Sequence, residues 1–275
     1  MSKTDRLPMG AADAPRDLDE DRWSSRLAAH LAHLLGAGRG AAVTWYNHAS
    51  VSRAMDAQID VGRFDYVGID GSFFRRLVAP GTPRTSADLV LPLLLDLLPG
   101  CRVALIGSSR GQLEAASAVI EALPSRPTVV MTCDGYAELP SPTDMAERLL
   151  GAGAEVVVLG LGAPLQDVYA LGLVDADLTR QLLLTCGGWI DQVSQPDYYP
   201  AYAYRLRLNW LFRVLREPAR LWRRYTVEGL RAYARRAELR AFLLRRGSRP
   251  FGAMVAACTT GSASDGRSQP PMLAA

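Results

Sequence analysis

The sequence predicts an α/β fold, in which a sheet of parallel strands alternates with helices and a helical, arginine-rich appendage follows. Three observations predict it. Short apolar runs such as Tyr66-Val67-Gly68-Ile69 and Glu155-Val156-Val157-Val158-Leu159-Gly160 are bounded by turn residues, as buried strands are. Segments with helical apolar spacing lie between them, and that alternation implies right-handed crossovers between parallel strands. From Tyr198 the strand pattern stops, and arginines and large aromatics take over.

Each element follows from local pattern. Residues 1–22 are rich in Ala, Asp, Pro and Arg without periodicity and read as a flexible extension. Trp23, Leu27, Leu31, Leu34 and Leu35 share one face of a helix over 23–35. Ala41 to Tyr46 is strand-like and ends at Asn47, and a helix follows from about Ser50 to Ile59. The strand at 66–69 ends in Asp70-Gly71, and a loop with Pro80, Gly81 and Pro83 leads to a helix over 88–98. A strand over 102–106, a tight turn at Gly107-Ser108-Ser109 and a helix over 111–123 come next. The core closes with a strand over 128–132, a helix over 145–151, the strand over 155–160 and a stretch from Thr179 to Cys186 entering Gly187-Gly188. It spans 23–197. The appendage covers 198–246, with Pro218 as a helix start and Arg213, Arg216, Arg220 and Arg223 spaced along one helical face. The Gly-, Ser-, Pro- and Ala-rich residues 247–275 read as a disordered tail.

Charge is unevenly placed. Residues 205–246 hold thirteen arginines against three glutamates, a net charge of +10, while the rest carries 18 basic and 25 acidic residues, a net charge of −7. Beside Trp210, Phe212, Trp222 and Tyr225, this suits an anionic surface or a phosphate-bearing ligand. Nucleic acid is the weaker partner, because these aromatics sit among leucines on helices and not on a strand platform. The apolar run Leu89 to Leu98 carries Asp96 and is half the ~20 residues that span a bilayer. The N-terminus lacks a signal-peptide pattern, so a cytoplasmic protein with peripheral membrane contact is expected. Four separated cysteines and three histidines form no zinc spacing and no disulfide framework. GxGxxG, GxxxxGK[ST] and GxSxG motifs are absent, which argues against dinucleotide enzymes, P-loop enzymes and serine hydrolases.

Asn47, Asp70, Gly107, Gly160 and Gly187 all fall at strand carboxyl ends, where α/β sheets bind ligands. Asp70 is placed either as a general base toward a ligand hydroxyl or as part of an ordinary Asp-Gly turn. The turn Gly107-Ser108-Ser109-Arg110-Gly111 opens a helix, whose amides suit a phosphate or a ribose; a plain strand-to-helix turn has the same look. Gly160-Leu161-Gly162-Ala163-Pro164-Leu165-Gln166-Asp167 combines close backbone approach, a stiffening proline and an amide able to read a base or sugar. Asn47 and Arg84 suit sugar hydroxyls or phosphate, or a cap and a surface position.

In order and spacing, these blocks resemble the WecG/TagA/CpsF glycosyltransferases, glycosyltransferase family 26, from about Thr44 to Arg236. The residues carrying the resemblance are Thr44-Trp45-Tyr46-Asn47, Ile69-Asp70-Gly71, Arg84-Thr85-Ser86-Ala87-Asp88-Leu89, Leu105-Ile106-Gly107 and Asp134-Gly135-Tyr136. Val157 to Gln166, and Asn209-Trp210-Leu211-Phe212-Arg213 with Glu217-Pro218 and Arg220, are the strongest blocks. Asp167 stands where the family has glutamate.

The resemblance implies a Rossmann-like core and an inverting, metal-independent hexosyl or N-acetylhexosaminyl transfer without a cofactor. The donor would be a UDP-sugar and the acceptor a polyprenyl-diphosphate-linked saccharide of exopolysaccharide or cell-envelope assembly. By the same resemblance, Asp70 is the base, with Thr44, Asn47 and Arg84 in its pocket. Gly107, Ser108, Tyr136, Gly160, Gly162, Pro164, Gln166 and Asp191 line the nucleotide-sugar cleft, and Arg213, Arg220 and Arg223 reach the diphosphate. The appendage closes over the site and meets the inner face of the plasma membrane. A nucleotide-binding enzyme of another class and a non-enzymatic membrane adaptor remain the alternatives, and homo-oligomer formation is open.

Overall fold

The computed structural model describes residues 18–80, 84–136, 139–193 and 224–244. Six strands form one parallel sheet: β1 (Ala41–Tyr46), β2 (Tyr66–Ile69), β3 (Arg102–Gly107), β4 (Thr128–Cys133), β5 (Val156–Gly160) and β6 (Leu182–Thr185). Their order across the sheet is β2-β1-β6-β5-β3-β4, a Rossmann-like arrangement flanked by helices. The apolar runs of the central strands reflect burial on both faces, which is the condition for a parallel sheet.

Side-chain alternation builds the two layers. Ala42, Tyr46, Val157, Leu159 and Leu183 face one layer with α2 (His48–Asp56), α3 (Ser72–Val78), α6 (Pro142–Ala152) and α7 (Leu165–Asp175). Val43, Trp45, Val156, Val158, Leu182 and Leu184 face the other, with α1 (Leu18–Gly36), α4 (Ala87–Leu97), α5 (Arg110–Glu121) and α8 (Trp189–Val193). After a π-helical turn at Arg224–Glu228, α9 (Gly229–Ala234) and α10 (Arg236–Leu244) return to the first layer. There Ala232, Leu239, Phe242 and Leu243 are buried in the same core as Val51, Ala54 and Phe74. The pairs Arg53–Glu228 (2.9 Å) and Arg235–Asp56 (2.8 Å) border that contact.

The chain leaves β1 and β5 for the first layer, but β6 and β3 for the second. Along the row β1-β6-β5-β3 the departures therefore alternate between faces, the arrangement that in α/β sheets places a ligand crevice beyond the strand carboxyl ends.

The structure departs from the sequence reading at several places. The first helix starts at Leu18, inside the stretch read as an extension. Helix α2 runs 48–56, and a 3-10 turn at Val61–Arg63 follows it. Helices α3, α7 and α8 had no counterpart, and the glycine loop after β5 ends at Pro164 because Leu165, Gln166 and Asp167 already form the first turn of α7. The 198–223 part of the appendage and the tail lie outside the described residues.

Candidate active site

Two groups of residues face each other across the crevice. The first stands at the ends of β1 and β2. Asn47 caps α2 in a reciprocal box: its side-chain carbonyl accepts from the N–H groups of Ala49 (3.0 Å) and Ser50 (3.1 Å), and its own N–H donates to Ser50 Oγ (2.8 Å). With the carbonyl committed, the side chain has its amide N–H2 to offer a ligand.

Asp70 follows β2, and its backbone N–H is held by the Tyr46 carbonyl at 2.8 Å. The Arg84 guanidinium lies 3.8 Å from the Asp70 carboxylate, with both side chains about one-third exposed (33% and 37%). Arg84 is kept there by its neighbour Thr85, whose hydroxyl accepts from the Trp45 indole N–H (3.2 Å) and whose N–H reaches the Ile69 carbonyl (3.3 Å). Gly68 makes room for that indole, since a Cβ there would come within 2.1 Å of the ring. A partly exposed carboxylate beside a guanidinium is accessible to a ligand hydroxyl as a proton acceptor.

The second group stands at the ends of β3, β4 and β5. Gly107 and Gly160 are register partners, and a Cβ on Gly107 would come within 2.5 Å of the Gly160 carbonyl. A Cβ on Gly135 would meet the Gly107 Cα at 2.7 Å. Three glycines thus pack backbone on backbone and form a close-packed floor that side chains there would disrupt. Gly162 and cis-linked Pro164 complete the loop after β5, and Tyr136 projects beside the floor at 82% exposure.

The N-terminus of α5 opens from this floor. Ser108 is buried in a left-handed backbone conformation (φ +58°), and its hydroxyl contacts Asp191 and Gln112 (2.6 Å). Gln112 Oε1 also accepts from the Ser109 hydroxyl (2.9 Å), which fastens this turn to the first turn of α5. The carboxylate of Asp134 already takes the N–H groups of Arg110 (3.1 Å) and Tyr136 (2.7 Å). Two carboxylates flank this turn as hydrogen-bond acceptors.

Between the two groups lie residues that look inward. Gln166 is buried at 3% exposure, and its carbonyl accepts from the Gly187 N–H (3.2 Å). It thereby ties α7 to the end of β6. Thr44 is fully buried; its hydroxyl donates to Asp167 (2.7 Å) and accepts from Thr185 (2.9 Å). Burial pushes the Asp167 carboxyl up to about 6, against the opposing hydrogen bond from Thr44. Asp167 and Thr185 were given no role from sequence. The available signal was polarity at the inner face of strands that are otherwise apolar.

Arg213, Arg220 and Arg223 lie outside the described residues. Among the described residues no three His, Cys, Asp or Glu side chains cluster to hold a metal, and no helix is long and apolar enough to cross a membrane. The crevice, its glycine floor and the Asp70–Arg84 pair stand on segments that a single family model spans from residue 21 to 246. That model describes the glycosyl transferase WecG/TagA/CpsF family, and the chain belongs to it.

Proposed function

We propose that the protein transfers a hexosyl or N-acetylhexosaminyl group from a UDP-sugar to a polyprenyl-diphosphate-linked saccharide, with inversion and without a metal. The reading is for exopolysaccharide or cell-envelope assembly at the inner face of the plasma membrane. Family membership supplies a nucleotide-sugar donor and a glycan acceptor. The finer assignment rests on one observation: a carboxylate, Asp70, stands beside Arg84 at the mouth of the crevice, across from a glycine floor able to take a donor.

In this reading the acceptor hydroxyl oxygen attacks the anomeric carbon as the bond from that carbon to the UDP oxygen breaks. Asp70 takes the hydroxyl proton, and UDP departs with the bonding electron pair. Positive charge builds on the sugar while negative charge builds on the diphosphate, so the leaving group needs cationic partners. Arg213, Arg220 and Arg223 suit that role by their fork geometry. Ribose hydroxyls fit the Asp134 and Asp191 carboxylates, and Tyr136 offers a ring for the base.

The test is UDP release from a panel of UDP-sugars with lipid-linked acceptor extract and EDTA. Acceptor-dependent release that survives EDTA and falls by about 10²–10⁴-fold in Asp70→Asn fits base catalysis by this carboxylate. Release that is unchanged in Asp70→Asn removes Asp70 from the reaction, and the absence of release from every donor removes the UDP-sugar reading.

A further inference from the structure

The inner face of the sheet that packs on α7 is apolar from Ala42 through Leu183 and Val157, until its last residues. There Thr44 and Thr185 interrupt it, and Asp167 reaches them from α7. The reach is long in topological terms. Helix α7 begins after β5, β6 lies between β5 and β1, and Thr44 is on β1. Asp167 therefore binds across an intervening strand, while its neighbour Gln166 binds the end of that strand through Gly187. An ionised carboxylate only accepts, so Thr44 must donate to it and must accept from Thr185. Both hydroxyl protons are fixed by that one charge.

The connections on either side run into the crevice. Upstream of Asp167 is the Gly160–Pro164 loop. Two residues beyond Thr44, the Tyr46 carbonyl holds the Asp70 N–H, and Asn47 follows. We propose that Asp167 is a positioning residue that sets, through the Thr44 hydroxyl, the spacing between the Asn47–Asp70 side of the crevice and its Gly160–Pro164 side. This rests on the sugar-transfer reading above.

Stability alone does not account for the arrangement. Asp167 is fully buried, and its contacts with the Thr44 and Tyr46 hydroxyls offset only part of the cost of burying it. An amide or an apolar pair would serve packing better than a buried charge. Residues held against stability are those that function retains.

The experiment compares full-length wild type with Asp167→Asn, Thr44→Val and the double variant at pH 8. Three readouts are taken: the transfer rate, the affinity for UDP as probe, and the melting temperature. The inference expects Asp167→Asn to melt at or above wild type and to bind UDP within about threefold. Its kcat should fall about tenfold or more, the scale of a small misplacement of reacting groups. Thr44→Val removes outright the link that Asp167→Asn only deprives of its charge, so it should lose at least as much kcat, and the double variant should be no slower than the slower single one.

Wild-type turnover in Asp167→Asn overturns the inference. So does a fall in kcat matched by lower melting temperature and lost UDP affinity, or effects that multiply in the double variant. A wild type that neither binds UDP nor releases it from any donor overturns the transferase reading itself, and this inference with it.

Discussion

Replacing Asp167 with asparagine should stabilise the protein at pH 8 and remove one component of its pH dependence. The side chain is fully buried, and burial moves its pKa from 3.8 to about 6. Because the folded value is the higher one, the native state favours the neutral form. The associated stability is complete below 3.8 and is lost as pH rises through about 6. A displacement of roughly two pH units at about 1.4 kcal/mol each amounts to ~3 kcal/mol. Asparagine resembles the neutral acid: its carbonyl accepts from Thr44, and its amide lies toward the Tyr46 hydroxyl. Urea titrations of both proteins at half-unit steps from pH 4 to 8 isolate the effect, since all other carboxylates cancel in the difference. The difference should be small near pH 4 and grow to ~3 kcal/mol in favour of the variant by pH 7, or on the order of 5–10 °C in melting temperature. A difference that stays flat with pH, or a variant less stable at pH 8, would refute the assignment of a buried charge.

Three further perturbations test other parts of the molecule. Gly107→Ala must place a Cβ within 2.5 Å of the Gly160 carbonyl at φ +122°, so it should lose about 2–4 kcal/mol of stability by denaturant titration and bind UDP poorly. Asn47→Asp keeps the capping acceptor but exchanges the amide for a charge; its stability should stay within about 0.5 kcal/mol while transfer falls, whereas Asn47→Ala should also lose about 1 kcal/mol of stability. Phe242→Ala removes a buried ring from the contact between α10 and the core, and should cost about 3–4 kcal/mol; limited proteolysis should then cut within 229–244 before the core.

Strands were the most legible part of the sequence, because burial on both faces writes an unbroken apolar run ended by a small or polar residue. β1 and β2 match their predicted bounds, and β3, β4 and β5 match within a residue. Helix α7 was missed for the same physical reason read in reverse. Its Val168-Tyr169-Ala170-Leu171-Gly172-Leu173-Val174 run is apolar on most sides, so it carries no helical stripe. Helix α3 is only seven residues long and starts at Gly71 without a side-chain cap, which leaves no start signal. In the site, strand-end placement brought Asn47, Asp70, Gly107 and Gly160 to one edge, as it must in a parallel sheet. The pairing of Ser108 with Asp191 joins residues 83 positions apart, and that of Thr44 with Asp167 joins residues 123 apart. No local pattern encodes such contacts, which arise only once the strand order is fixed.

The strand order also explains why the two sides of the crevice differ in chemistry. On the β1–β2 side, the chain leaves both strands for the first layer, and α9 and α10 close against the same helices. A cationic side chain there, Arg84, faces the single carboxylate Asp70. On the β3–β5 side the chain departs to opposite faces, and the strand ends are close-packed glycines rimmed by the carboxylates of Asp134 and Asp191. In the proposed reading this difference orients a nucleotide sugar, with its ribose hydroxyls toward the Asp134 and Asp191 carboxylates and the transferred sugar toward Asp70.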